Sequence, residues 1–97
     1  MNLFFEYQNK ISESLRLLEK KNELILPDDL KSLTIELPPK DQKADISCNA
    51  ALILSKLNKT SPQKLAEILK KYLLKNFKEI KSIDIAKPAF LNICFNI

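Results

Sequence analysis

From Leu3 to about Lys20 the apolar residues Leu3, Phe4, Tyr7, Ile11, Leu15 and Leu18 recur at three- and four-residue spacing, with Glu6, Lys10, Glu13 and Arg16 between them. This spacing predicts a helix that packs one stripe on a core. Polar Lys20-Lys21-Asn22-Glu23 ends it, and Pro27-Asp28-Asp29-Leu30 reads as a turn or a single helical turn opened by proline. Leu33-Thr34-Ile35-Glu36-Leu37 alternates, which predicts a short strand with Leu33, Ile35 and Leu37 facing inward and Pro38-Pro39 as its stop. A polar loop then leads into residues 44–48, a second brief strand. Over residues 49–57, Ala50, Ala51, Ile53, Leu54 and Leu57 cover more than half of a helix circumference, so this helix is buried on most sides, with Asp45 or Ser47 as a candidate cap. Ser61 and Pro62 have the types preferred at the cap and first position of a further helix. Its stripe is Leu65, Ala66, Ile68, Leu69, Tyr72 and Leu73, and Lys64, Lys70, Lys71 and Lys75 form its wet face.

After Asn76 the period changes to two. Ile83 and Ile85 alternate with Ser82 and Asp84, and the chain turns at Lys87-Pro88 into a last alternating stretch. One face of that stretch carries Leu91, Ile93, Phe95 and Ile97; the other carries Phe90, Asn92, Cys94 and Asn96. The resulting order, helix, strand, strand, helix, helix, strand, strand, suits a single α+β domain spanning residues 1–97. It is a two-layer sandwich in which a small antiparallel sheet of about four strands has its helices packed on one face. The other face then stays open and carries Phe90 and Asn92. Two readings of Phe90 follow from the pattern: a ring that plugs the rim of the core, or a platform for an unstacked base whose edge the neighbouring Asn92 amide bonds.

Composition narrows the chemistry. The chain has 97 residues, 45% hydrophobic and 29% charged, as in a folded globular domain rather than a disordered segment. It contains no Gly and no His. Phosphate-cradling glycine loops are therefore excluded, as are Ser/His and Cys/His nucleophilic pairs, and no catalytic residue is assigned. Cys48 and Cys94 have no metal-ligand companions, so no metal site is expected. No apolar run reaches the roughly 18 residues of a membrane span and the first six residues do not resemble a signal peptide, so the expected location is the cytoplasm, away from membranes. The net charge of +4 is uneven: residues 1–58 carry eight basic and nine acidic side chains, residues 59–97 eight lysines and three acids. A basic half that also holds an exposed aromatic suits a polyanionic partner such as RNA.

Two stretches, taken together, resemble the N-terminal additional domain of arginyl-tRNA synthetases. The first runs from Pro38-Pro39-Lys40-Asp41 through Ala44-Asp45-Ile46 and Asn49-Ala50-Ala51 to Lys56; the second is Ala86-Lys87-Pro88-Ala89-Phe90-Leu91-Asn92-Ile93. With the intervening Ser61-Pro62-Gln63-Lys64-Leu65-Ala66, the resemblance spans nearly the whole chain. Ala44, Lys87 and Ala89 stand where the family has glycine, and Ile46 where it has an aromatic residue. Each lost glycine removes easy access to positive φ, so these positions either take ordinary backbone angles or belong to remodelled turns.

In that family the domain performs no chemistry and contacts the outer corner of the tRNA around the D loop. The resemblance implies that Phe90 stacks on a D-loop base of arginine tRNA, that Asn92 reads its edge, and that Lys87 lies at a turn close to the RNA. Lys71, Lys75, Lys78 and Lys81 are candidate phosphate contacts or simply a solvated face, whereas Asp45 and Asn49 are assigned structural roles, a cap and a buried amide tying loop to sheet. It further implies a parent enzyme of class I that joins arginine to its tRNA using ATP and Mg²⁺, with catalytic and anticodon-binding domains beyond Ile97 and no cofactor held in this chain. The rival reading is a protein-interaction domain whose exposed C-terminal strand adds to a partner's sheet.

Overall fold

A computed structural model describes residues 3–96, so the expectation for Ile97 falls outside the described residues. The elements are α1 (Leu3–Lys20), β1 (Ile35–Glu36), β2 (Ile46–Cys48), α2 (Ala50–Leu54), α3 (Pro62–Asn76), β3 (Ile80–Ala86) and β4 (Phe90–Phe95). They form the expected α+β sandwich: one four-stranded sheet, ordered β1-β2-β4-β3, with every neighbouring pair antiparallel. The C-terminal strand is thereby bonded along both edges. This corrects the expectation of an exposed last strand free to join a partner's sheet, since its N–H and C=O groups are already taken up by β2 and β3.

Alternation along the strands builds the two faces. On the inner face Ile35, Cys48 and Leu91 stand in register across β1, β2 and β4, and Ile46, Ile93 and Ile83 across β2, β4 and β3. All six are buried beneath Tyr7, Ile11, Leu15 and Leu18 of α1, Leu54 of α2, and Leu65, Leu69 and Leu73 of α3. Ala50, Ala51 and Ala66 are fully covered, where a larger side chain would hold the helices apart. Three apolar positions depart from the periodicity. Leu57, expected on the buried surface of a helix over residues 49–57, is 43% exposed because α2 ends at Leu54. Ile68 points outward from α3, and Leu37, expected inward, is 76% exposed because β1 ends at Glu36 and the Pro38-Pro39 pair carries the chain away from the core.

Without glycine, helix ends need other residues in the left-handed region. Asn22 (φ 62) closes α1, with Glu23 N–H donating to the Leu18 carbonyl and Asn22 N–H to that of Glu19. Lys59 (φ 50) closes the turns after α2 in the same way, with Thr60 N–H donating to Ser55 and Lys59 N–H to Lys56. Both are Schellman closures. Among the described residues these are the positions with positive φ, so Ala44, Lys87 and Ala89 avoid the left-handed region that glycine would open, and the Lys87–Pro88 peptide bond is cis. Ser61 caps α3 as expected, its Oγ accepting from Lys64 N–H at 3.2 Å with Pro62 at the first position. Neither Asp45 nor Ser47 caps α2: its cap residue is Asn49, with no side-chain cap bond.

The long connector after α1 has little regular structure, and two asparagines hold it to the domain. Asn49 Oδ1 accepts from Thr34 N–H at 2.8 Å while its Nδ2 donates to the Ser32 carbonyl at 2.9 Å. Asn58 does the same for Ile25, at 2.7 and 3.0 Å. Each amide imitates a strand neighbour, pairing backbone groups that would otherwise be left unsatisfied. At the other end of the sheet, the buried Tyr7 ring lies 4.7 Å from Phe95 and 6.2 Å from Phe77, and its hydroxyl donates to Glu79. Lys10 Nζ bridges Glu6 at 3.0 Å and Glu79 at 3.2 Å. Burial and the Glu79 carboxylate push the Tyr7 hydroxyl above its ordinary range; the Tyr7 hydrogen bond, ahead of Lys10, holds Glu79 below its own.

Two stability measurements check this description. Lys59→Gly relieves the Cβ crowding of a left-handed residue and should raise stability by about 0.5–1 kcal/mol in urea titration, after the added freedom of glycine in the unfolded chain is subtracted. Tyr7→Phe keeps the ring but removes the bond to half-exposed Glu79, and should lower stability by about 1 kcal/mol at pH 7. Because Glu79 titrates lower when folded, that contribution is complete above the unfolded carboxylate range and fades as pH falls through the folded value, so the two proteins should converge in strong acid.

Candidate functional site

The outer sheet face carries a polar row that crosses all four strands. Glu36, Ser47, Asn92 and Asp84 stand side by side in register, and Phe90 lies one rung along, opposite Ala86. Residues 38–45 fold back over this face. A turn closed by Gln42 N–H donating to the Pro39 carbonyl at 2.9 Å lifts the Gln42 side chain over β4. Asp45 pins the far end of the loop: its carboxylate accepts from Phe95 N–H at 2.8 Å, and its own N–H donates to the Ile93 carbonyl at 2.9 Å.

Between the loop and the strands lies an open groove of about 760 Å³. Its apolar wall is Leu37, Pro38 and Pro39 on one side and Ile85, Ala86 and half-buried Phe90 on the other. Asn92, Ser47 and Gln42 form its polar floor and flank, and Glu36 and Lys87 supply one charge of each sign at its rim. Such a slot suits a flat ring with polar edge groups: apolar surface to stack on and amides to bond the edge.

Asn92 differs from expectation. It is 3% exposed rather than open to solvent, and Gln42 is bonded over it: Asn92 Nδ2 donates to Gln42 Oε1 at 2.8 Å. Its Oδ1 is buried and, among the described residues, has no hydrogen-bond partner. A buried acceptor left unbonded is uncommon in a folded protein and marks a position where a ligand donor would be favoured.

The structure gathers Phe90, Asn92 and Lys87 into this one groove. Lys71, Lys75, Lys78 and Lys81 are not in it. The start of α3 lies at the β3–β4 turn, where Gln63 Nε2 donates to the Pro88 carbonyl at 3.5 Å. Lys71 and Lys75 are then about 12 and 18 Å farther along the helix axis. Lys81 sits at the opposite end of β3 from Ala86, about 17 Å away, and the Lys78 carbonyl is bonded there by Asn96. Asp45 and Asn49 make backbone bonds that hold the loop and the connector. Gln42 and Leu37 line the groove, and the periodicity did not single them out. Gln42 looked like ordinary loop polarity and touches Asn92 across fifty positions of sequence, and Leu37 looked like core.

Among the described residues no group of three His, Cys, Asp or Glu side chains gathers as a metal site, and no helix is long and apolar enough to cross a membrane. Comparison with known proteins places the chain among domains of aminoacyl-tRNA synthetases. The chain belongs to the arginyl tRNA synthetase N terminal domain family, whose profile matches residues 6–95. It is 41% identical over 95 residues to the arginine–tRNA ligase of Pelagibacter ubique, covering 98% of this chain and 16% of that protein. With the arginine–tRNA ligase of Ehrlichia chaffeensis it shares 40% over 98 residues, 100% of this chain and 17% of the relative; with that of Methylobacterium sp. (strain 4-46), 33% over 93 residues, 96% and 16%. The chain thus spans about a sixth of the length of these curated relatives.

The two thiols give a check on the faces. Cys48 is fully buried, and desolvation pushes its thiol up to about 12, whereas half-buried Cys94 lies on the outer face. In native protein at pH 8 a thiol reagent should label Cys94 first and leave Cys48 unreacted until denaturant is added, as read by mass spectrometry.

Proposed function

We propose that this domain binds arginine tRNA by taking an unpaired D-loop base, at the outer corner of the molecule, into the groove between Phe90 and the Leu37–Pro39 wall. The observation that carries the reading is the convergence in one groove of a half-buried aromatic ring, a buried amide oxygen without a partner among the described residues, and a lysine at the rim. Phe90 stacks on the base. Asn92 bonds its edge, and Lys87 meets an adjacent phosphate. Stacking of this kind is worth about 1–3 kcal/mol per base. Lys71, Lys75, Lys78 and Lys81 act at longer range, drawing the polyanion toward the domain, and their effect falls with salt; direct phosphate contact by any of them requires RNA that continues well past the groove.

The domain supports a reaction carried out elsewhere in a longer protein. By analogy with the arginine–tRNA ligases it resembles, the parent joins arginine to its tRNA with ATP and Mg²⁺. The cytoplasm, where charged tRNA is used, is the corresponding location. This chain's part is to hold the tRNA corner while the remaining domains handle ATP, arginine and the anticodon. Affinity of the isolated domain is accordingly modest, because tethering to those domains raises the effective concentration of each contact.

Titration of the 97-residue chain with arginine tRNA, followed by NMR and fluorescence anisotropy, tests the reading. Phe90→Ala should weaken binding by about five- to a hundredfold, the range of one lost stacking contact. Phe90→Leu, which keeps the apolar volume, should weaken it nearly as much with little change in melting temperature. A tRNA with an altered D loop should be bound weakly by the unaltered chain and show no further loss with Phe90→Ala. Equal affinity of the unaltered chain and both variants for arginine tRNA would refute the assignment.

A further inference from the structure

The Asn92 amide is at once the best-placed polar group in the groove and inaccessible. Its Nδ2 is bonded to Gln42 at 2.8 Å, its Oδ1 has no partner among the described residues, and the whole residue is 3% exposed. No base edge reaches it in this arrangement. The group covering it, however, belongs to an exposed side chain with many rotamers, whose backbone is independently held by bonds at Pro39 and Ala44. Rotation about the Gln42 side-chain bonds breaks its bond to Asn92 without moving the loop backbone.

We infer that Gln42 is an internal competitor for the base site, a latch whose amide occupies Asn92 in the free domain and is displaced when RNA enters. The inference rests on the reading of the groove as a base site. The closed form satisfies one half of the Asn92 amide and leaves the other half buried and unbonded, so it is held less firmly than a fully paired amide. An entering base edge that presents a donor to Oδ1 and an acceptor to Nδ2 satisfies both halves. The bound form therefore gains a bond that the latched form lacks, which makes displacement favourable despite the loss of the Gln42 contact. A ring that stacks on Phe90 but has no donor gains nothing at Oδ1 and leaves the latch closed. Gln42 thus acts through Asn92 as a positioning residue that filters groove occupants by their edge, and the apparent affinity is lowered by the fraction of domain that is latched.

The sign of a mutational effect separates a latch from a structural support. Gln42→Met keeps the length of the side chain but cannot accept from Asn92, and Gln42→Ala removes it. Both should bind arginine tRNA about two- to tenfold more tightly than the unaltered 97-residue chain, the range of one released neutral hydrogen bond. In the unaltered chain, the Gln42 side-chain amide signals should move on titration toward those of a freely exposed glutamine. If both variants bind equally or more weakly while Phe90→Ala still weakens binding, the latch is wrong and the groove reading stands. If Phe90→Ala changes nothing, the groove reading fails and the latch fails with it.

Discussion

Strand β4 is hydrogen-bonded to β2 on one edge and β3 on the other, and the rest of the domain is arranged about that double pairing. It fixes register on both sides, and register fixes faces, because a one-residue slip would exchange every inward and outward side chain. Leu91 and Ile93 enter the core only because Cys48 and Ile46 on one side and Ile83 on the other bring apolar neighbours to the same rungs. The same pairing sets Asn92 between Ser47 and Asp84 on the opposite face. Core and groove are two sides of one strand, so a change that shifts β4 to suit one would spoil the other.

A chain without glycine needs other residues for tight geometry, and it supplies them unevenly. At two helix ends, Asn22 and Lys59 accept the left-handed region, Asn with its short polar side chain and Lys at an exposed position where a Cβ meets little. At the turn before Phe90, the positions that resemble family glycines avoid positive φ, the Lys87–Pro88 peptide bond is cis, and Ala89 is buried rather than exposed. The turn that presents the groove rim is therefore held by packing, and by the Gln63 bond to Pro88, in place of conformational freedom. Lys87 thereby keeps its long cationic side chain at the groove.

The distribution of charge separates two roles that the net charge alone merges. The lysines that make the second half of the chain basic lie mostly along α3 and at the far end of β3, more than a helical turn from the groove. The groove itself has one cation and one anion at its rim. In the proposed reading, long-range attraction to a polyanion and close recognition of one base therefore come from different parts of the surface. Salt should act on the first and the shape of the groove on the second.

Much of the architecture was legible in the amino-acid order. The stripes of α1 and α3, the Ser61–Pro62 start, the alternation of β3 and β4 and the α+β order all follow from local periodicity and local capping chemistry, which depend on residues a few positions apart. The family was legible too, since its motifs survive the loss of their glycines, and the same motifs pointed to Phe90 and Asn92. Tertiary structure alone decided what periodicity is blind to. It placed β4 between two partners instead of at an edge and turned Leu37 outward as a groove wall. It moved Asp45 from a helix cap to a tie on β4 and set Gln42 over Asn92. Each of these depends on a contact between residues far apart in sequence, whose partner is defined only when the sheet has closed.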